Sequence, residues 1–174
     1  MAPWVQKKDK AGGSPPGPVK VLRVSPYLSE QAILIVGSKR GKNELVGLLV
    51  NDLCRENGLL SPDVFLAKVL DRERGISTTL DTGLSLPHAR MDGLDKIIAA
   101  MAIVPGGMRD PQQADLIIRA MFLFFSPNKQ EFFPLHLQLL RSVSLLFQPS
   151  FIDQVARAAG PAEAFKLIRD QEGR

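Results

Sequence analysis

Two apolar runs of strand length constrain this chain most strongly. Residues 96–104 and 117–125 are almost continuously apolar, and the segment between them is rich in turn formers, with Pro105-Gly106-Gly107 and Pro111. Runs of this length without polar alternation are typical of buried strands. The chain is therefore expected to build a sheet that other elements must cover.

Amphipathic helices flank these strands along the sequence. A first helix is predicted over 41–56, where leucines recur at every fourth position and Gly58 follows as a C-terminal stop. A second helix is predicted from Ser61, a favourable N-cap, through Pro62 to about Arg74. Three further helices are predicted over 131–147, 151–159 and 161–171.

The order of the elements predicts the fold class. A short apolar run from Ile33 to Val36 adds a third strand, and residues 75–95 are predicted to form a long polar loop of the kind that often has a function. We expect an α/β fold, a three-layer α/β/α sandwich in which helices flank a mixed β-sheet.

The basic charge of the chain is concentrated at its N-terminus. Residues 1–23 carry five Lys or Arg and one Asp, which accounts for the whole net charge of +4. Residues 1–25 are also rich in Pro, Gly and Ser, so we predict a disordered tail followed by one folded domain over 26–174. No basic surface studded with aromatic residues follows, which argues against nucleic-acid binding.

The sequence argues against several other classes of protein. No apolar run reaches the roughly 20 residues of a membrane span, so we expect no membrane insertion and a cytoplasmic location. Cys54, the single cysteine, cannot form an internal disulfide. The two histidines, His88 and His136, lack the spacing of metal ligands, and no metal site is predicted.

The most informative segment begins with Arg72-Glu73, continues through Ser77-Thr78 and ends with Leu86-Pro87-His88. Together with His136-Leu137 farther along the chain, it resembles the type-2 enzyme IIA domain of the bacterial phosphoenolpyruvate-dependent phosphotransferase system, the fructose/mannitol and nitrogen-regulatory group. In that family a helix ends in Arg-Glu, a Ser-Thr pair follows, and a glycine-containing loop leads to Pro-His. The resemblance covers about residues 28–172.

The resemblance implies a phosphocarrier, a component of a phosphotransferase chain and not a stand-alone catalyst. His88 would accept the phosphoryl group, because a neutral imidazole has a ring nitrogen that can attack phosphorus. His136 would lie beside His88 and assist it. The other expected site residues, which would surround the phosphoryl oxygens or the reacting ring, are Arg72, Thr78, Gly83, Ser85 and Arg90.

The resemblance also implies the partners. The donor would be HPr or an HPr-like protein of the nitrogen branch, and the acceptor enzyme IIB or a target protein regulated by the phosphorylation state. No cofactor is expected, since the phosphoryl group comes from phosphoenolpyruvate through protein donors. The sequence leaves open whether the chain serves sugar uptake or nitrogen regulation, and whether it forms a homodimer.

One departure from the family pattern supports an alternative hypothesis. The family loop has three glycines where this chain has Thr79, Asp81 and Gly83. Thr79 tolerates a positive φ poorly, and Asp81 is expected to bring negative charge close to the phosphoryl group. The alternative is a degenerate module that keeps the fold and binds other proteins but is not phosphorylated.

Several of these residues also have a purely structural alternative. His136 lies on the apolar face of its helix, where it could be a hydrogen-bonded core residue. Arg72 could complement the C-terminus of its helix, and Glu73 could pair with Arg74 or Arg90. Contacts between distant parts of the chain must decide between these readings.

Overall fold

The computed structural model describes residues 21–37 and 40–174. The strands are β1 Ile33–Ile35, β2 Leu84–Ser85, β3 His88–Met91, β4 Ile98–Arg109 and β5 Ile117–Pro127. The helices are α1 Lys42–Glu56, α2 Pro62–Gly75, α3 Phe133–Leu146, α4 Pro149–Ala156 and α5 Pro161–Glu172. Short 3-10 turns precede β1 and α3.

All five strands form one mixed sheet. β4 and β5 pair in antiparallel fashion at its centre. β1 runs parallel to β4 at one edge, while β2 and β3 both run parallel to β5 at the other. The edge formed by β3 is the place where the candidate site lies.

Helices cover both faces of this sheet. Phe65 of α2 packs edge-on against Phe125, with ring centroids 5.0 Å apart. Adjacent residues of a strand point to opposite faces, so Phe124 faces the other layer, where its ring lies 5.1 Å from that of His136 in α3. The predicted three-layer sandwich with a mixed sheet is therefore confirmed.

The helices follow the predicted apolar pattern. Leu45, Leu49 and Leu53 of α1 are all buried, and Gly58 ends the helix region with a left-handed φ of 63°. Ser61 precedes α2 as predicted, but its side chain makes no capping hydrogen bond. Among the described residues, none of the helices is both long enough and apolar enough to cross a bilayer.

Residues 75–95 are not the single long loop that the sequence predicted. β2 and β3 lie within this segment and continue in one register along β5, with Leu84 opposite Ala120 and His88 opposite Phe124. Runs of two and four residues are too short to show a period, and their pairing with β5 alone makes them strands.

The predicted turn after residue 104 is also wrong in part. β4 continues through Pro105-Gly106-Gly107 as far as Arg109. The pairing with β5 shifts between Ile103 and Met108, where the strand bulges. Gly107 has a φ of 71°, and a Cβ there would lie 2.5 Å from a methyl group of Ile117, so the bulge needs glycine.

Most of the predicted disordered tail, residues 1–25, lies outside the described residues. Its last part is packed, however, because Val24 is buried and the Ser25 hydroxyl donates to the Glu172 carboxylate at 2.7 Å. The folded region therefore begins before the predicted boundary at residue 26.

Candidate functional site

His88 and His136 meet in a cleft at the β3 edge of the sheet. His88 is the first residue of β3, and His136 lies near the start of α3. Their ring centroids are 5.3 Å apart, and the two residues are only 7% and 5% exposed. The structure thus brings together two histidines that the sequence separates widely.

Backbone and aromatic contacts fix the ring of His88. Its Nδ1 lies 2.6 Å from the carbonyl oxygen of Leu86, and the ring stacks on Phe124 at an interplanar angle of 13°. A carbonyl oxygen can only accept a hydrogen bond, so Nδ1 carries the proton and donates it. The lone pair of the neutral ring is then on Nε2.

Both histidines are held in their neutral form. Burial lowers the pKa of His88, against the effect of the Leu86 hydrogen bond, and the charge of Arg72 lowers it further. The pKa of His136 is lowered to about 4, mainly by burial and further by His88, Arg90 and Arg72. A neutral ring is the form that a nucleophile requires at neutral pH.

Two arginines border the same cleft. Arg72, in the last turn of α2, and Arg90 of β3 line a cavity of about 330 Å³ together with the two histidines. Arg90 donates to the carbonyl oxygen of Lys129 at 3.1 Å, and its guanidinium carbon lies 5.0 Å from the ring centre of Phe133. The cleft therefore combines neutral imidazoles with positive charge.

Thr78 supports the position of His88 through its backbone. Its carbonyl oxygen accepts the N–H of Leu86 at 3.2 Å, and Leu86 in turn holds His88. The Thr78 hydroxyl donates to the carboxylate of Glu73. In this structure the hydroxyl is therefore directed towards Glu73 and is not a free donor in the cleft.

A buried group of three charged residues, Lys42, Glu73 and Asp110, lies behind this segment and is called the ionic cluster below. Lys42 Nζ lies 3.0 Å from Glu73 Oε2 and 3.1 Å from Asp110 Oδ2, and no side chain of the three is more than 6% exposed. Burial would raise the pKa of Asp110, but hydrogen bonds from Thr79, Gln112 and Lys42, with the Lys42 charge, lower it to about 2.

The ionic cluster answers the question left open for Glu73. Its partner is Lys42, whereas Arg74 lies 3.9 Å from Asp71 and Arg90 bonds a backbone carbonyl. The sequence did not reveal this pairing, because the three charges come from the start of α1, the end of α2 and the residue that follows β4.

Gly83 is not brought into the cleft. Its carbonyl oxygen accepts the N–H of Arg119, and its own N–H donates to Leu80 within a turn. Gly83 precedes His88 by five residues of extended chain, which span roughly 16 Å at about 3.3 Å per residue. Asp81 lies in the same turn, at the end of this segment that is away from His88.

Ser85 faces away from His88. It pairs with Met121 of β5, whereas His88 pairs with Phe124, and positions an odd number of residues apart point to opposite faces. Its hydroxyl is buried and has no hydrogen-bond partner among the described residues. The expectation that Ser85 binds in the cleft is therefore not met.

Ser126 belongs to the site, although the sequence analysis missed it. Its Oγ lies 2.5 Å from Nδ1 of His136, and the residue is fully buried in β5. A serine at the end of an apolar strand gives no functional signal by itself. Among the described residues, no group of three or more His, Cys, Asp or Glu side chains could hold a metal ion.

An α/β sandwich with a buried, neutral histidine beside two arginines defines a class of domain suited to handling an anionic group. The family model described as "Phosphoenolpyruvate-dependent sugar phosphotransferase system, EIIA 2" matches residues 27–171. The chain belongs to this family.

Solved structures and a curated relative are similar to the chain. The nitrogen regulatory protein IIA-Ntr from Neisseria meningitidis has a TM-score of 0.71 and 21% identity, over 83% of this chain and 98% of that one. The mannitol enzyme IIA in complex with phosphorylated enzyme IIB from Escherichia coli has a TM-score of 0.66 and 22% identity, over 84% and 97%. The mannitol-specific EIICBA component from Klebsiella pneumoniae is 21% identical over 139 residues, 78% of this chain. This chain spans only 21% of that relative's length.

Proposed function

We propose that this chain is a phosphocarrier, which accepts a phosphoryl group on Nε2 of His88 and passes it to a second acceptor. The observation that carries the proposal is the fixed ring of His88, whose Nδ1 is bound to the Leu86 carbonyl at 2.6 Å and whose Nε2 is left without its proton. Membership of the EIIA 2 family supports the same reading.

The transfer step uses the lone pair of Nε2. It attacks the phosphorus of a phosphohistidine on the donor protein, the new N–P bond forms, and the donor nitrogen leaves with the electron pair of the broken bond. Nδ1 of His88 keeps its proton throughout. Its hydrogen bond to the Leu86 carbonyl becomes stronger as the ring gains positive charge, because charge-assisted hydrogen bonds are stronger than neutral ones.

Charge and shape in the cleft favour a phosphoryl group. Arg72 and Arg90 border the cavity that contains His88, and guanidinium groups match phosphoryl oxygens in both charge and geometry. The ring of His136, with its centroid 5.3 Å from that of His88, is close enough to contact a group on Nε2. Such preorganised donors each contribute about 10²–10³ to the rate of a typical reaction.

The partners follow from the chemistry and the relatives. A phosphoryl group on nitrogen stays reactive, so the chain can both accept and release it. We infer HPr or its nitrogen-branch counterpart as the cytoplasmic donor, and enzyme IIB or a regulated target protein as the acceptor. A related mannitol enzyme IIA was solved with phosphorylated enzyme IIB, which supports the IIB assignment. No cofactor takes part in this scheme.

The alternative is a degenerate module that keeps the fold and binds other proteins but is not phosphorylated. It rests on Thr79 and Asp81, which stand where the family loop has glycines. Two features favour the phosphocarrier instead: neither residue adopts a positive φ, and Asp81 lies in the turn that precedes β2.

Intact-mass analysis tests the proposal. The chain is incubated with phosphoenolpyruvate, enzyme I and either HPr or the nitrogen-branch counterpart. We expect one acid-labile phosphoryl adduct on the wild type and none on His88→Ala. The matched control, His136→Ala, keeps the acceptor nitrogen and should still be labelled, only more slowly. An adduct that persists in His88→Ala would overturn the assignment.

A further inference from the structure

The contact between Ser126 and His136 is the strongest feature that the transfer step has not used. Ser126 Oγ lies 2.5 Å from Nδ1 of His136, and Ser126 is 0% exposed. The backbone of Ser126 is fixed, because it pairs with Arg90 in the sheet. The serine is therefore a rigid partner for a ring that is carried by a different element, α3.

The hydrogen-bonding capacity of the two groups decides which one donates. If Nδ1–H donated to Oγ, the hydroxyl proton would need a second acceptor, but Ser126 Oγ has no other hydrogen-bond partner among the described side chains and backbone groups. If the hydroxyl donates to Nδ1, both atoms are satisfied. The second arrangement leaves the ring proton on Nε2.

A ring with two protons is excluded at neutral pH. Burial, followed by the electrostatic effects of His88, Arg90 and Arg72, lowers the pKa of His136 to about 4. His136 therefore carries one proton, and its position is a question of tautomer alone.

We propose that Ser126 is a positioning residue that holds His136 in the Nε2–H tautomer, so that this N–H is available to a phosphoryl group on His88. This inference rests on the proposed function, because the phosphoryl group is the ligand in question. The two histidines then have complementary roles. His88 has its proton on Nδ1 and a lone pair on Nε2, whereas His136 has a lone pair on Nδ1 and its proton on Nε2.

The tautomer matters because only one form can donate. An Nε2–H is a hydrogen-bond donor to a phosphoryl oxygen, whereas an Nε2 lone pair would repel that oxygen. Replacing Ser126 with Ala removes the group that selects the donor form. We expect Ser126→Ala to slow phosphorylation of His88 by about 10-fold, less than the 10²–10³ that loss of a complete donor typically costs.

Ring-nitrogen NMR of the unphosphorylated protein tests the tautomer directly. With ¹⁵N-labelled histidine at neutral pH, we expect the wild-type His136 to show a protonated, pyrrole-like Nε2 and an unprotonated, pyridine-like Nδ1. Ser126→Ala should lose this preference. A wild-type spectrum with the proton on Nδ1 overturns the proposal without the need for any variant, as does an unchanged pattern in Ser126→Ala.

Kinetics separate a role through His136 from a general structural role. In the double variant Ser126→Ala with His136→Gln, phosphorylation should be no slower than in His136→Gln alone, because the serine acts only through the ring. If the rate losses of the two single variants added up in the double variant, Ser126 would act by a route other than His136. Ser142→Ala is the matched control, since it removes another buried serine hydroxyl, whose one partner within residues 21–37 and 40–174 is the N–H of Leu22. It should leave the rate unchanged.

Failure of this inference can be told apart from failure of the proposed function. If the wild type shows the Nε2–H tautomer of His136 but takes up no phosphoryl group, the phosphocarrier assignment fails and the role of Ser126 in setting the tautomer stands. If the wild type is phosphorylated on His88 but His136 carries its proton on Nδ1, the role of Ser126 fails and the phosphocarrier assignment stands.

Discussion

Neighbouring residues at the end of α2 serve two buried polar clusters that are built in opposite ways. Glu73 belongs to the ionic cluster, where every charge has a partner within 3.1 Å. Arg72 borders the histidine cleft, where the two rings are neutral and one side is open. In this molecule the buried charges are all paired within a closed cluster, whereas the buried histidines are neutral and face an open cleft.

The two clusters are connected by hydrogen bonds. Lys42 holds Glu73, and Glu73 accepts the hydroxyl of Thr78. The carbonyl of Thr78 accepts the N–H of Leu86, whose own carbonyl accepts Nδ1–H of His88. The ionic cluster thus fixes the backbone segment that orients His88 in the histidine cleft.

Breaking the ionic cluster should have the largest effect on stability. In Lys42→Met, the carboxylates of Glu73 and Asp110 remain buried without their cation, so we expect the free energy of unfolding to fall by about 3–5 kcal/mol. Equilibrium unfolding in urea measures this free energy. Lys166→Met, the same change at an exposed position of α5, should stay within about 0.5 kcal/mol of wild type. A loss below about 1 kcal/mol in Lys42→Met would mean that the cluster contributes little.

Acid should lower the free energy of unfolding through His136, by a smaller amount than Lys42→Met does. The folded pKa of His136, about 4, is below the unfolded value near 6.5, so its stabilisation is present above pH 6.5 and is lost as pH falls towards 4. Between pH 7 and pH 5 this residue alone should cost about 2 kcal/mol of unfolding free energy. His88 contributes in the same direction.

His136→Gln is the control for this pH dependence. The variant has no group that titrates at this position, so its unfolding free energy should fall less than that of the wild type between pH 7 and pH 5. The ionic cluster adds almost no pH dependence through Asp110 in this window, because both its folded pKa of about 2 and its ordinary value of 3.8 lie below pH 5. Equal slopes for wild type and variant would show that His136 is not held neutral by the fold.

Most of the fold could be predicted from the sequence, and the exceptions have a physical reason. The apolar stripe of α1 and the long strands β4 and β5 repeat over enough residues to reveal their period. β2 and β3 are two and four residues long and exist only through pairing with β5. Local sequence carries no signal for such pairing.

The site could be predicted only in part, because some of its contacts also depend on pairing between elements that are distant in the sequence. The family resemblance implied that His136 lies beside His88, and their ring centroids are 5.3 Å apart. We expected Gly83 in the cleft because it is only five residues from His88. The chain between them is extended, however, and at about 3.3 Å per residue it separates the two positions. Ser126 and Lys42 were missed because their roles depend on contacts between elements that are distant in the sequence.

The central claim is that the fold leaves Nε2 of His88 as the phosphoryl acceptor, and ring-nitrogen NMR of the phosphorylated chain tests it most directly. After labelling with phosphoenolpyruvate, enzyme I and HPr or its nitrogen-branch counterpart, we expect phosphorus coupling at Nε2 of His88, with Nδ1 still protonated. Coupling at Nδ1 of His88, or at either nitrogen of His136, would contradict the account.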